Sequence, residues 1–211
     1  MSQLFDLTPR SDYFSDAHHD FRRSVRQFVE REITPFVNDW DEAGTFPREL
    51  YRKAADVGLI GVGYPEAYGG TPADLFYTLV YAEELARAGC GGVQASLGSH
   101  GIGLPPVVAH GSEALKRRVV PPVLRGEKIA ALAITEPGGG SDVAALKTTA
   151  VRDGDHYVVN GEKTFITSGM RADFISVAVR TDPANRGPGG VSLLLIDGDT
   201  PGLSRTSLKK M

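Results

Sequence analysis

The amino-acid sequence predicts an α+β protein in which an all-helical amino-terminal domain, residues 1–126, precedes a β-rich domain, residues 127–211. Before Gly126, apolar residues recur every three or four positions in several segments, which is the spacing of amphipathic helices. After Gly126 the apolar residues follow a period of two, which is the spacing of strands. A run of helices followed by a run of strands indicates α+β organisation, and the change of period sets the predicted domain boundary.

Helix-capping residues mark where the helices of the amino-terminal domain should begin. The strongest signal is the cap segment 71–74, after which apolar residues predict a helix to about Gly89. The predicted buried face of this helix has five members: Leu75, Leu79, Ala82, Leu85 and Ala86. Further predicted helices begin at cap or proline signals, which are Ser15 or Asp16, Thr34-Pro35, Pro47 and Ser112.

Several apolar segments predict the strands of the second domain. Residues 129–134 carry no charge, which is typical of a strand buried on both faces. Residues 156–166 predict a hairpin, because Asn160-Gly161 favours a tight type I′ turn between two apolar runs. Two more strands are expected at 174–181 and 191–197. Since no cap or tail composition precedes Met211, we expect the β-rich domain to be incomplete.

The first strand leads into a glycine-rich turn that we interpret as an anion cradle. Pro137 ends the strand, and the glycines at 138–140 can take positive φ and present successive N–H groups outward. Thr135, Ser141 and Asp142 add two hydroxyls and a carboxylate beside the turn. This arrangement suits a ligand with phosphates and a hydrogen-bonding ring, although Pro/Gly runs are also common as plain connections between strands.

Composition and charge argue against several classes of function. Lys+Arg 23 against Asp+Glu 26 gives a net charge of −3, so we expect neither nucleic acid nor an anionic membrane as a partner. The single cysteine, Cys90, cannot form an internal disulfide, which is consistent with a reducing compartment. No secretory signal or apolar run of membrane-spanning length is visible, so a cytoplasmic location is expected.

Other ligand sites are not indicated by the sequence. The five histidines lack metal-ligand spacing, and the adjacent His18 and His19 are expected at a solvated helix start, so no metal site is predicted. The chain has no GxGxxG fingerprint of a dinucleotide-binding fold. Glu162 interrupts the segment that most resembles a phosphate-binding P-loop.

Linked motifs give the chain a family resemblance. The segment TEPGGGSDVAALKT at 135–148 and the segment NGEKTFITSG at 160–169 together resemble the flavin-binding signatures of the acyl-CoA dehydrogenases. Residues 58–70 and 82–127 are similar to the helical amino-terminal domain of the same family. The resemblance covers most of the chain and implies that the second domain is an incomplete β-barrel of the acyl-CoA dehydrogenase type.

The resemblance implies FAD as cofactor and names the residues that hold it. Phe165 is expected against the isoalloxazine ring, Ile166 beside it, and Thr167 in a hydrogen bond near flavin N5. Many relatives have tryptophan at the Phe165 position, so this chain keeps an aromatic face but lacks the indole N–H. The alternative for Phe165 and Ile166 is an ordinary strand core. The residues expected to line the flavin and its pyrophosphate are Leu132, Ala133, Ile134, Thr135, Gly140 and Ser141.

The resemblance also implies a reaction and its partners. Family members remove the α proton of an acyl-CoA with a carboxylate while the β hydrogen leaves as hydride to the flavin. The base is a glutamate expected beyond Met211, so no catalytic residue is assigned within the chain, and Glu136 is expected to cap or orient the glycine turn. The expected partners are an acyl-CoA substrate, an electron-transfer flavoprotein as acceptor, and further copies of the chain in a dimer or tetramer.

Three residues are expected on the substrate side, namely Ser141, Gln94 and Gly98. Gln94 and Gly98 lie one turn apart in the helix that, by resemblance, floors the acyl pocket. Gly98 either opens this floor or only permits close helix packing. The residues leave other functions open: acyl-CoA oxidases and flavin monooxygenases share this fold, as do non-catalytic flavoprotein modules that include DNA-associated relatives.

Overall fold

The computed structural model describes residues 12–208. The helices of this part are α1 (Asp16–Glu32), α2 (Val37–Ala43), α3 (Glu49–Asp56), α4 (Leu75–Ala86), α5 (Gly91–Leu97), α6 (His100–Gly103), α7 (Pro105–His110) and α8 (Glu113–Leu124). The strands are β1 (Ala130–Ala133), β2 (Thr149–Asp153), β3 (His156–Asn160), β4 (Phe174–Arg180) and β5 (Val191–Asp197). Helices followed by strands confirm the predicted α+β class, and the strands form one mixed sheet.

Two predicted helix starts are confirmed, and one helix end has the expected glycine geometry. The Asp74 carboxylate accepts a hydrogen bond from the Phe76 amide at 2.9 Å, so the cap segment 71–74 does begin α4. The Ser112 hydroxyl likewise accepts from the Leu115 amide at 3.2 Å at the start of α8. Gly58 follows α3 with a φ of 78°, the left-handed conformation in which helices commonly end.

The buried face of α4 differs from the prediction. Leu75 and Leu79 are exposed, whereas Glu84 is only 2% exposed. Arg22 and Arg26 of α1 donate hydrogen bonds to the Glu84 carboxylate at 2.9 to 3.0 Å, and these charges allow it to be buried. The helix therefore turns a charged position toward α1, which a rule based on apolar spacing does not anticipate.

His18 is not the solvated residue that the sequence predicts. It is 5% exposed, and its Nδ1 accepts a hydrogen bond from the Ser15 amide at 2.9 Å. Its Nε2 lies 3.0 Å from a carboxylate oxygen of Asp74, and its ring centroid is 4.4 Å from that of Tyr77. Because Nδ1 accepts a hydrogen bond, the ring hydrogen is on Nε2, which donates to Asp74. His18 thereby joins the start of α1 to the start of α4.

Strand β4 is the centre of the sheet. One of its edges pairs with β5 in antiparallel fashion along its whole length, from Phe174 with Asp197 to Arg180 with Val191. The other edge pairs in parallel with β1 at its beginning and, through Arg180 and Thr149, with β2 at its end. The strands predicted at 129–134, 174–181 and 191–197 are confirmed as β1, β4 and β5.

The predicted hairpin at 156–166 is wrong. Residues 156–160 do form a strand, β3, but its antiparallel partner is β2, which precedes it in the chain. The tight turn is made by Gly154, whose φ is 61°, and not by Asn160-Gly161. The segment 161–173 contains no strand and leaves the sheet beside the end of β1.

The described chain forms two compact units, one with residues up to Gly98 plus Pro121–Glu127, and one with Ser99–Val120 plus residues from Lys128 onward. In the second unit, Gly103 of α6 lies against β1 so closely that a Cβ there would come within 3.0 Å of the Ala131 backbone. The domain boundary at residue 126 stays a prediction. No helix among the described residues has the length and apolar character needed to cross a bilayer.

Candidate functional site

The candidate site lies where the chain makes an excursion from the sheet. Strands β1 and β2 both pair with the same edge of β4, so residues 134–148 leave that edge and return to it. The glycine turn occupies the first half of this excursion, and a short 3₁₀ turn at Val143–Ala145 occupies the second. Arg180, at the end of β4, donates to the Ala144 carbonyl oxygen and holds the second half in place.

The glycine turn is closed by its own backbone. The Glu136 amide donates to the Gly139 carbonyl at 3.0 Å, and the Gly139 amide donates to the Glu136 carbonyl at 3.1 Å. The three glycines at 138–140 do not take positive φ, so the conformational reason predicted for them is wrong. A Cβ on Gly138 or Gly139 would meet no atom within 4 Å, so no steric contact in the chain requires glycine at either position, and the surface of the turn is open there.

Gly140 has a different role, because it lies against Thr135. A Cβ on Gly140 would approach Thr135 Cγ2 to 3.2 Å and Oγ1 to 3.5 Å. Thr135 is half-buried, while Gly140 and Ser141 are exposed. The small residue at 140 thus lets the turn fold back over the end of β1, with the hydroxyl of Ser141 following on the exposed side.

The second predicted motif meets the first at Thr135. The Thr164 amide donates to the Thr135 carbonyl at 2.9 Å, so the chain runs alongside the end of β1 immediately before Phe165. Ile166 and Thr167 are half-buried, and so are Leu132, Ile134 and Thr135; Ala133 is buried. The structure therefore brings the predicted flavin residues of both motifs into one region of the sheet unit.

Phe165 has an unusual conformation. Its φ is 57°, in the left-handed region that bulky residues rarely adopt, and its side chain is 73% exposed. Ser168, three residues later, has a φ of 61°. An exposed ring on a strained backbone is not a strand core, so that alternative for Phe165 is wrong.

The Glu136 carboxylate was expected to orient the glycine turn, but it also binds residues outside that turn. It accepts hydrogen bonds from the Lys147 amide at 2.7 Å, the Thr148 amide at 2.8 Å and the Thr148 hydroxyl at 2.6 Å. Lys163 Nζ completes the set at 2.9 Å and also donates to the Ile134 carbonyl. Burial raises the pKa of Glu136, but the hydrogen bonds from Thr148, Lys147 and Lys163 outweigh burial and lower the pKa to about 2.

Lys163 was missed as a site residue. The sequence offers one signal, since Lys163 lies two residues before Phe165 in the motif and is the basic group nearest to it in the chain. Its partner Glu136 lies 27 residues earlier, and both side chains are only 10% exposed. Pairing over this separation depends on how the excursion folds, which local sequence does not reveal.

The two other substrate-side residues lie in the helical unit. The Gln94 side chain, on α5, donates to the Ala82 carbonyl of α4 at 3.4 Å. Gly98 follows α5 and donates its amide to the Gln94 carbonyl at 3.0 Å, so the two residues are one turn apart as expected. A Cβ on Gly98 would meet that same carbonyl at 3.2 Å, and no atom of a neighbouring helix of this unit comes within 4 Å. Within this unit, therefore, no neighbouring helix requires glycine at position 98.

These features fit a flavin in the sheet unit. The exposed ring of Phe165 offers a flat apolar surface, and the open glycine turn lets a phosphate-bearing chain approach the backbone. Thr135 and Thr167 add hydroxyl groups at the two motifs. Within residues 12–208, no group of three or more His, Cys, Asp or Glu side chains is arranged to hold a metal ion. The arrangement suits the binding of a planar, anionic cofactor.

Comparisons with known proteins identify the family of the chain. The family model for the acyl-CoA dehydrogenase N-terminal domain matches residues 15–127, and that for the acyl-CoA dehydrogenase middle domain matches residues 131–211. The chain is 38% identical over 190 residues to the long-chain specific acyl-CoA dehydrogenase, mitochondrial, of Sus scrofa, covering 90% of this chain and 44% of that protein. It thus spans about half the length of the curated relatives that it matches.

Solved structures give the same result. A Mycobacterium smegmatis protein assigned as an acyl-CoA dehydrogenase superposes with a TM-score of 0.90 at 51% identity, covering 95% of this chain and 52% of that chain. An acyl-CoA dehydrogenase from Bacillus anthracis, solved in complex with FAD, superposes with a TM-score of 0.84 at 34% identity, covering 94% and 34%. This chain therefore belongs to the acyl-CoA dehydrogenase family.

Proposed function

We propose that the full-length protein catalyses FAD-dependent α,β-dehydrogenation of an acyl-CoA thioester to the trans-2-enoyl-CoA. Family membership supports an oxidoreductase that acts on acyl-CoA. The observation that carries the proposal is Phe165, whose ring is 73% exposed on a left-handed backbone beside the end of β1. A ring held this way contributes little to packing and suits a planar ligand.

In this proposal, FAD is held by the residues at the end of β1, the glycine turn and the Phe165 segment. When bound at these residues, FAD would supply an acceptor for the hydride that leaves the substrate β carbon. Phe165 supplies an apolar surface for the ring, and the Thr135 and Thr167 hydroxyls orient it through hydrogen bonds. The full set is Leu132, Ala133, Ile134, Thr135, Gly140, Ser141, Phe165, Ile166 and Thr167.

The proton-abstracting base comes from outside this chain in our proposal. Glu136 is unsuited to that role, because its carboxylate accepts four hydrogen bonds and its pKa is about 2. A general base needs a pKa nearer the working pH and a free lone pair toward the substrate. A glutamate in a part of the protein beyond Met211 fills this role, so residues 1–211 alone should show no turnover with octanoyl-CoA and an artificial acceptor.

The physiological setting is also a proposal. We propose an electron-transfer flavoprotein as the acceptor, a dimer or tetramer of the full-length protein, a role in fatty acid β-oxidation and a cytoplasmic location. The net charge of −3 supports a partner that is neither nucleic acid nor an anionic membrane. A substrate-reduced flavin that reoxidises slowly in air would support this acceptor, and rapid reoxidation would favour an oxidase.

The proposal is tested by anaerobic titration of the FAD-loaded, full-length protein with octanoyl-CoA while the flavin absorbance is recorded. We expect bleaching in the wild type, and Thr167→Val should weaken FAD binding or slow bleaching by a factor that corresponds to about 1 kcal/mol, the worth of one hydrogen bond. Thr78→Val, at an exposed position of α4, serves as the matched control. Absence of FAD binding, or no bleaching by acyl-CoA thioesters of any chain length, would refute the proposed function.

A further inference from the structure

The ion pair of Glu136 and Lys163 joins three separate segments of the chain. Glu136 follows β1, its carboxylate accepts from the Lys147 and Thr148 amides just before β2, and Lys163 reaches it from the segment after β3. The two ends of the excursion 134–148 are therefore tied together at one carboxylate. Lys163 adds a second contact with β1 through the Ile134 carbonyl at 2.9 Å.

The same pair stands next to the strained part of the site. Lys163 and Thr164 are fixed to the end of β1, and Phe165 follows with its left-handed φ. On the far side, the Arg171 and Ala172 amides donate to the Ser168 carbonyl and close the segment. A bulky residue in this conformation persists only where its neighbours hold it, because the conformation itself costs free energy.

We propose that Glu136 and Lys163 are positioning residues whose ion pair fixes the Phe165 segment and both ends of the glycine excursion in the ligand-ready conformation. This inference deepens the proposed FAD site and, for its binding readout, rests on that function. Neither residue touches the reacting atoms in this account. Their pair acts through Phe165, Thr135 and the glycine turn, which carry the contacts with the ligand.

A role in general stability is the competing explanation, and the controls separate the two. Lys128 forms a more exposed ion pair with Asp173 at 3.1 Å at the opposite end of β1, so Lys128→Met removes an ion pair outside the site. Val179 of β4 is fully buried, so Val179→Ala destabilises the sheet without touching the pair. A positioning role predicts that the Lys163 and Glu136 variants exchange the Thr164 amide faster and bind FAD more weakly, and that neither control does so.

The experiment uses the full-length protein as wild type, Lys163→Met, Glu136→Gln and the two controls. Hydrogen exchange of the FAD-free protein should be about tenfold or more faster at the Thr164 amide in both site variants, with unchanged exchange in β4. FAD affinity should fall about tenfold or more, and the visible circular dichroism of bound FAD should change, only in the site variants. Glu136→Gln keeps the shape of the side chain and serves if Lys163→Met does not fold.

The results of these measurements separate failure of the positioning role from failure of the proposed function. Unchanged exchange at Thr164 in both site variants, or equal loss of FAD affinity in Val179→Ala at matched thermal stability, would overturn the positioning role. If the wild type binds no FAD while Thr164 exchange still accelerates in the site variants, the positioning inference stands and the proposed function fails. If the wild type binds FAD and the site variants bind it equally well, the proposed function stands and the inference fails.

Discussion

Replacing Phe165 with glycine should relieve backbone strain, and the size of the effect can be worked out by comparison with alanine. Both variants lose the same ring, which is 73% exposed, so the small loss of packing cancels between them. At a φ of 57°, a residue with a Cβ is disfavoured by about 1–2 kcal/mol. Glycine is more flexible in the unfolded chain, which offsets about 0.5–1 kcal/mol of that gain. Phe165→Gly should therefore unfold with a free energy about 0.5–1 kcal/mol higher than Phe165→Ala.

Urea unfolding of the FAD-free full-length protein measures this difference. Val151 of β2, which is 63% exposed, has no positive φ and supplies the control pair. There the order should reverse, with the alanine variant the more stable by about 0.5–1 kcal/mol. If alanine is the more stable at both positions, Phe165 does not hold a left-handed conformation and the strain argument is refuted.

Three further predictions concern charge and chain length. Glu84→Gln should lower the free energy of unfolding by about 3 kcal/mol, because the buried Arg22 and the half-buried Arg26 lose the charge of their shared carboxylate, whereas Glu113→Gln at an exposed pair should change it by less than about 1 kcal/mol. Equal effects of the two substitutions would contradict this. The pKa of Glu136 is about 2 in the folded protein, against an ordinary value of 4.5, so its contribution of about 3 kcal/mol to the free energy of unfolding is complete above pH 4.5 and is lost as the pH falls toward 2. Glu136→Gln should lack this loss of stability in acid, and an identical dependence of stability on pH in the variant and the wild type would refute the assignment. In the full-length enzyme, kcat/KM should rise from C4 acyl-CoA toward medium, long or branched chains by about 0.8 kcal/mol per buried methylene, and Gly98→Glu should lower kcat/KM for the long chains. A wild-type maximum of kcat/KM at C4 would show that Gly98 does not set the floor of the acyl pocket.

The sequence predicted the parts of the fold that depend on contacts between residues close together in the chain. The caps at Asp74 and Ser112 work through side chains that reach amides two or three residues away, so their identity is visible in the sequence. The strands at 174–181 and 191–197 are apolar runs with clear ends. These elements needed no knowledge of what packs against them.

Non-local contacts explain what the sequence did not reveal. Glu84 is buried because arginines from α1, about 60 residues earlier, supply its counter-charge. The hairpin was misplaced because β2 has only weak alternation, while Asn160-Gly161 and the apolar residues after it imitate a turn and a returning strand. The glycine turn and Phe165 were assigned to one site through family resemblance, but the contact of Thr135 with Thr164 that joins them, and the pair of Glu136 with Lys163, appear only in the folded chain.

The claim that the end of β1, the glycine turn and the Phe165 segment form the flavin site is tested most directly by photolabelling. Full-length protein is loaded with 8-azido-FAD, illuminated and digested, and the labelled peptides are identified by mass spectrometry, with excess FAD as competitor. Our account predicts labels that FAD suppresses within residues 132–141 and 163–168. Suppressible labels confined to other segments, with none in these two, would contradict it.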